Sequence, residues 1–121
     1  MGSAGPTVRQ GSIGRAWLVP PRGQTKFRPV VVFTPDELIT TSAALGVVGI
    51  SSSYYPSDPD CIPLPWRADG NIHTGLRVDC AACLNLLGTV QKEGFEQVGF
   101  LKQTDAALVE LLARLKAGGK L

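Results

Sequence analysis

Five cations enter the chain before its first acid. Arg9, Arg15, Arg22, Lys26 and Arg28 lie in the first 28 residues, all ten acidic residues follow, and the remainder carries a net charge of minus three. The overall +2 hides this asymmetry. A one-sided basic arm is the electrostatic footprint expected for a polyanion such as nucleic acid, although solvated surface charge has the same composition. A guanidinium such as that of Arg28 presents a rigid fork of donors that fits a phosphate bidentately. Phe27, set between Lys26 and Arg28, is an aromatic on which an unstacked base could lie, with Tyr54 and Tyr55 as further candidates. Trp17 and Trp66 are expected in the core or an interface.

A second constellation is Cys80-Ala81-Ala82-Cys83 with Cys61 and the sole histidine, His73. Four such ligands in a short span suit zinc. Successive side chains of a strand alternate, however, so positions 80 and 83 of an extended segment face opposite sides. Buried free thiols are the simpler reading. A redox role finds no thioredoxin-like βαβ pattern around the pair. No metal or other cofactor is therefore expected, and an odd count of three cysteines argues against a structural disulfide.

The chain of 121 residues, 44% hydrophobic and 18% charged, has the composition of a globular protein and can bury about two thirds of its unfolded surface. Nothing in it approaches a membrane span or a secretory leader, so the expected compartment is the cytoplasm.

The elements that must position these groups follow from patterning. Residues 1–11 read as a flexible arm and 12–121 as one domain. Ser12 to Val19 alternates as a strand, residues 20–27 form a basic loop, and Arg28 to Phe33, with three consecutive valines, suits a strand covered on both faces. Thr34-Pro35-Asp36-Glu37 predicts a short helix to about Thr41, with Thr34 as cap. Residues 44–52 form a further strand, which places Ser51, Ser52 and Ser53 at its end. Cys61 to Trp66, with two prolines, belongs at a sheet edge. A loop spans residues 67–79. Cys80 to Leu87 reads as an inner strand, and Gln97 to Leu101 as a short one after a turn at Gly94. A final helix is expected to be capped by Thr104, to pack Ala107, Leu108, Leu111, Leu112 and Leu115 on the sheet, and to stop at Gly118 and Gly119. Several short strands suggest a barrel or sandwich.

This order of elements, together with several strings, resembles the MazF/PemK toxins. The strand Ile13 to Val19, then Phe27-Arg28-Pro29 leading into Val30-Val31-Val32, is similar to the family's opening. Gly49-Ile50-Ser51-Ser52 resembles its proline-isoleucine-threonine-serine strand end, and Ile62-Pro63-Leu64-Pro65 its next strand. Gly75-Leu76 through Thr89-Val90-Gln91-Lys92 aligns without a gap, and Val98-Gly99-Phe100-Leu101 with the last helix completes a match over residues 12–116. No single string is specific; the ordered set carries the resemblance.

The resemblance implies a mostly β (α+β) fold: a small antiparallel SH3-like barrel of the MazF/PemK/CcdB kind, with a short inserted helix and a C-terminal helix. It implies a homodimer that binds single-stranded RNA in a groove, cleaves it without a metal ion, and is inhibited by an antitoxin protein. In such cleavage the ribose 2′-hydroxyl attacks the adjacent phosphate, so the protein need only assist proton transfer and stabilise charge. Arg28 occupies the place of the family's catalytic arginine and would stabilise the phosphoryl charge, with a secondary part as acid. Ser51 occupies that of the catalytic threonine. Gln24, Thr25, Lys26, Phe27, Ser52 and Asn85 would contact the RNA.

The chain departs from the pattern at several places. Asn85 replaces an aspartate, Leu86 a glutamine, Gly88 an arginine, and Cys83 stands where some members use a further arginine. An amide cannot act as a base. A gapped register instead puts Arg77 and Asp79 on the arginine-x-aspartate pattern. The alternative function is thus a catalytically weakened relative that still binds RNA or a protein.

Overall fold

The structure, a computed structural model, describes residues 7–121. The first six residues of the expected flexible arm lie outside the described residues. The elements run β1 (Ser12–Leu18), β2 (Lys26–Val32), α1 (Asp36–Ile39), β3 (Ala44–Ser51), β4 (Cys61–Pro63), β5 (Ala81–Gln91), a 3₁₀ turn (Lys92–Gly94), β6 (Glu96–Phe100) and α2 (Ala106–Ala117). All strands form one antiparallel sheet in the order β4-β5-β3-β2-β1-β6.

The sheet curls without closing. β4 and β6 remain its two edges, and a single bridge brings the end of β1 back to β5: Val19 and Thr89 exchange backbone hydrogen bonds of 2.8 and 3.0 Å. Gly88 makes this approach feasible. A Cβ there would lie 2.5 Å from the Val19 carbonyl oxygen and 2.8 Å from Leu18 Cδ1. The expected barrel is thus an open sheet of six strands, curled until one bridge joins its inner strands.

Strand alternation splits the apolar side chains into two clusters. Ile13, Val31, Val48, Ile50, Ile62 and Ala82 face α2, where Leu108, Leu111 and Leu115 meet them. Ala16, Leu18, Val30, Val32, Leu45, Val47 and Val90 fill the inside of the curl with Ile39. The three valines of β2 are therefore divided between the clusters and all fully buried, which is why that strand reads as continuously apolar. Each buried leucine of α2 contributes roughly 2 kcal/mol relative to an exposed one. The stripe expected from the sequence is the one that packs.

Local signals fared less evenly. Thr34 does not cap α1; Pro35 holds the N-cap position, and Thr34 Oγ1 instead accepts from the Gly46 amide at 2.7 Å. That bond ties the start of α1 to β3. α1 ends at Ile39, short of Thr41. At α2 the N-cap is Asp105 rather than Thr104, and its carboxylate turns back to accept from the Lys102 amide at 2.7 Å. β2 begins at Lys26, two residues before the expected Arg28, because Leu18 and Trp17 of β1 pair with Lys26 and Phe27. β5 runs to Gln91, well past Leu87.

Candidate active site

The register of β2 and β3 pairs Val30 with Gly49. Continued by two residues along both antiparallel strands, it sets Arg28 opposite Ser51, on one face of the sheet. Gly49 leaves the room: a Cβ there would lie 3.3 Å from Arg28 Cδ and 2.8 Å from Leu86 Cβ. Arg28 is half-buried. The ion pairs among the described residues are Arg67–Asp69 and Glu110–Arg114, so none of them neutralises its guanidinium.

The β5 side of the site is made by a bulge. Val48 pairs with Leu87, but the next residue of β3, Gly49, pairs with Cys83. Leu84, Asn85 and Leu86 therefore have no partner on β3. An inserted segment of this kind bends its strand and re-aims side chains. Asn85 is exposed as a result, and it borders a cleft of about 350 Å³ with Arg28, Ser51, Ser53, Tyr54, Tyr55, Asp58 and the two cysteines 61 and 83. Arg28, Ser51 and Asn85 thus meet in one cleft.

Ser51 Oγ accepts from the Ser53 amide at 3.0 Å and donates to the Ser53 carbonyl at 3.3 Å. The amide fixes the oxygen at the strand end. The longer contact leaves the hydroxyl hydrogen free to rotate towards a phosphate oxygen, since a hydroxyl carries one donor and two acceptor positions. Asp58 is the carboxylate of this cleft; its Oδ1 accepts from the Asp60 amide at 2.9 Å. Sequence reading missed it because its loop carries no pattern. That loop is pinned at two points: Tyr54 donates its hydroxyl to Asp79 at 2.7 Å, and Arg114 of α2 donates to the Pro59 carbonyl. The bond to Asp79, then burial, pushes the Tyr54 phenol up to about 12.

Further clefts continue from Arg28. One is lined by Leu18, Pro20, Arg22, Gln24, Lys26, Asn85 and Leu86, so the loop residues Gln24 and Lys26 reach the site. Another is lined by Ser51, Ser52, Leu76, Val78 and Cys80. A third brings Arg15, Phe27 and Arg77 beside Arg28. Arg15 was legible only as part of the basic arm, and Arg77 only through the gapped register. Asp79 does not accompany Arg77 there; it holds Tyr54.

Phe27 borders the third cleft, but alternation along β2 turns its ring to the face opposite Arg28, where it rests edge-on against Trp17 with centroids 5.5 Å apart. Of the two places expected for Trp17 and Trp66, core or interface, the core is ruled out, since they are 62% and 42% exposed. Thr25 is exposed in the β1–β2 loop and borders none of the clefts that hold Arg28.

The cysteine constellation divides. Cys83 faces Cys61 across β4 and β5 with sulfurs 3.5 Å apart, whereas Cys80 belongs to the core beneath α2 and His73 lies against Phe100, ring centroids 5.5 Å apart. Burial, then the neighbouring Asp79, pushes the Cys80 thiol up to about 11. Among the described residues no three His, Cys, Asp or Glu gather where a metal ion could be held. Among those residues, too, no helix is long and apolar enough to cross a membrane.

Compared by sequence, the chain matches no family model and no curated protein. Compared by structure, it is similar to the Mycobacterium tuberculosis toxin MazF-mt6, with a TM-score of 0.64 and 18% identity over 88% of this chain and 96% of that one. MazF of Deinococcus radiodurans superposes with a TM-score of 0.65 at 15% identity, covering 97% of this chain and all of the other. The MazE–MazF structure from the same organism gives 0.66 at 16% identity, over 94% and 97% of the two chains. Over nearly its whole length, then, this chain has the fold of the MazF toxins.

Proposed function

We propose that the protein is a toxin of the MazF type that cleaves single-stranded RNA by 2′-hydroxyl transesterification, with Arg28 and Ser51 at the scissile phosphate. The observation that carries this reading is the convergence of Arg28, Ser51 and Asp58 on one cleft in a chain with the MazF fold. Arg28 binds the non-bridging phosphate oxygens and stabilises the charge that grows on them at the transition state. Ser51 donates a hydrogen bond to the same phosphate. Asp58, not Asn85, supplies the carboxylate that accepts the proton of the 2′-hydroxyl, directly or through one water. Arg28 donates towards the departing 5′ oxygen.

The flanking clefts give the RNA a track. Arg22, Gln24, Lys26 and Asn85 border one side, and Arg15, Phe27 and Arg77 the other, with Thr25 and Ser52 as outer contacts. The reading includes two protein partners, an antitoxin and a second copy of the chain, in the cytoplasm. The MazE–MazF structures of D. radiodurans support the first.

The test is incubation of a defined single-stranded RNA with the protein in excess chelator. Products ending in a 2′,3′-cyclic phosphate are expected, with a loss of about 10²–10³-fold in rate for Arg28→Ala. Undamaged RNA, or equal cleavage by Arg28→Ala, rejects the reading. A second reading, a barrel that binds RNA or a protein without cutting, draws on the neutral Asn85, the uncharged Cys83, and the hydroxyl of Ser51 already engaged by Ser53. Tight RNA binding with no product over long incubation selects it.

A further inference from the structure

Cys61 and Cys83 are register partners on β4 and β5. The Leu84 amide donates to the Asp60 carbonyl at 2.8 Å, and the Cys61 amide donates to Asp58 at 3.1 Å. Cys61 and Cys83 are therefore a pair that exchanges no ladder hydrogen bonds. Pairs of this type hold their Cα atoms about 4.5 Å apart with side chains converging on one face, a separation that a disulfide spans without moving backbone. The sulfurs already touch at 3.5 Å. Cys61 is half-buried at the wall of the Arg28–Ser51 cleft, while Cys83 lies buried behind it. A small oxidant in the cleft meets Cys61 first.

We propose that Cys61 and Cys83 are a covalent modification site: a two-electron oxidant of the peroxide class joins them in a cross-strand disulfide that ties β4 to β5 along one wall of the cleft. The Cys61 thiolate attacks a peroxide oxygen, the O–O bond breaks, and hydroxide leaves and takes up a proton. Cys83 sulfur then attacks the sulfur of the resulting sulfenic acid, the S–O bond breaks, and a second water departs. Two thiols give up two electrons and two protons, and the peroxide is reduced to two waters. Burial, and then the contact with Cys83, pushes the Cys61 thiol up to about 12, so little thiolate is present at neutral pH and the oxidation is slow. The site stands whether or not the protein cuts RNA.

The reduced full-length protein is treated with hydrogen peroxide, alkylated, digested and mapped by mass spectrometry. A peptide pair joined through Cys61 and Cys83 is expected, lighter than the separate peptides by two hydrogens, with Cys80 left as a thiol and everything reversed by dithiothreitol. The tie closes 22 residues of chain, so Tm of the oxidised form rises by roughly 10 °C. Cys61→Ser and Cys83→Ser each abolish the linked peptide, and Cys80→Ser leaves it. A link through Cys80, a link between two molecules, or Cys61 over-oxidised to the sulfinic acid beside an intact Cys83 thiol overturns the proposal. The mapping of the wild type stands even if a serine variant fails to fold.

Discussion

Arg28 offers an unpaired guanidinium, among the described ion pairs, to a cleft it shares with a hydroxyl and a carboxylate. On the proposed mechanism its fork geometry matters as much as its charge, so Arg28→Lys keeps the charge yet loses at least about tenfold in kcat. Asp58→Asn lowers kcat by about 10²-fold, while Asn85→Ala acts mainly on KM; single-turnover kinetics separates these effects. Tyr54 gives a test independent of activity. Its bond to Asp79 lifts the phenol from 10.0 to about 12, so the folded state favours the protonated form. That contribution is complete below about pH 10 and is lost as pH climbs through about 12. Ultraviolet titration of Tyr55→Phe should show the tyrosinate of Tyr54 appearing near pH 12, and Asp79→Asn should bring it down towards 10. No change in the midpoint would mean that the pair is not formed in solution.

Elements explain why some groups were legible in the sequence and others were not. Arg28 and Ser51 sit on regular strands whose apolar pattern sets the register, so their meeting follows from β2 and β3 alone. Asn85 could be aligned, but its exposure depends on a bulge that no periodicity announces. Asp58 lies in a loop ordered by Asp79 and Arg114 from distant parts of the chain. The cap of α1 misled because Thr34 found a backbone partner outside the helix, a competition that short polar side chains often enter. Gly88, read as the loss of an arginine, has a steric reason in the approach of Val19. Restoring the arginine at that position should therefore not restore function: Gly88→Arg costs roughly 1–3 kcal/mol by crowding the bridge, and Gly88→Ala shows much of the same loss in urea denaturation. A Gly88→Arg protein as stable as the wild type would refute this account.

Across the whole molecule the basic arm of the sequence becomes a track. Arg15, Arg22, Lys26 and Arg28 come from β1, β2 and the loop between them, and Arg77 joins from the opposite wall. If single-stranded RNA follows that track, log Kd plotted against log salt has a slope of about 0.7 per phosphate contacted. Arg77→Ala should reduce the slope by roughly that amount, whereas Arg9→Ala should not, because Arg9 stacks on Phe100, 4.5 Å from the ring centroid. An unchanged slope for Arg77→Ala would remove that wall from the track.

The bulge at Leu84–Leu86 has one more consequence. Those three positions owe nothing to the β3 ladder, whose pairing resumes on either side of them. Leu84 and Leu86 still pack against the two core clusters, but the exposed Asn85 between them can change its side chain while the pairing that supports Arg28 and Ser51 stays in step. On the proposed function, a change in the RNA sequence preferred can be made at this one position with little toll on folding.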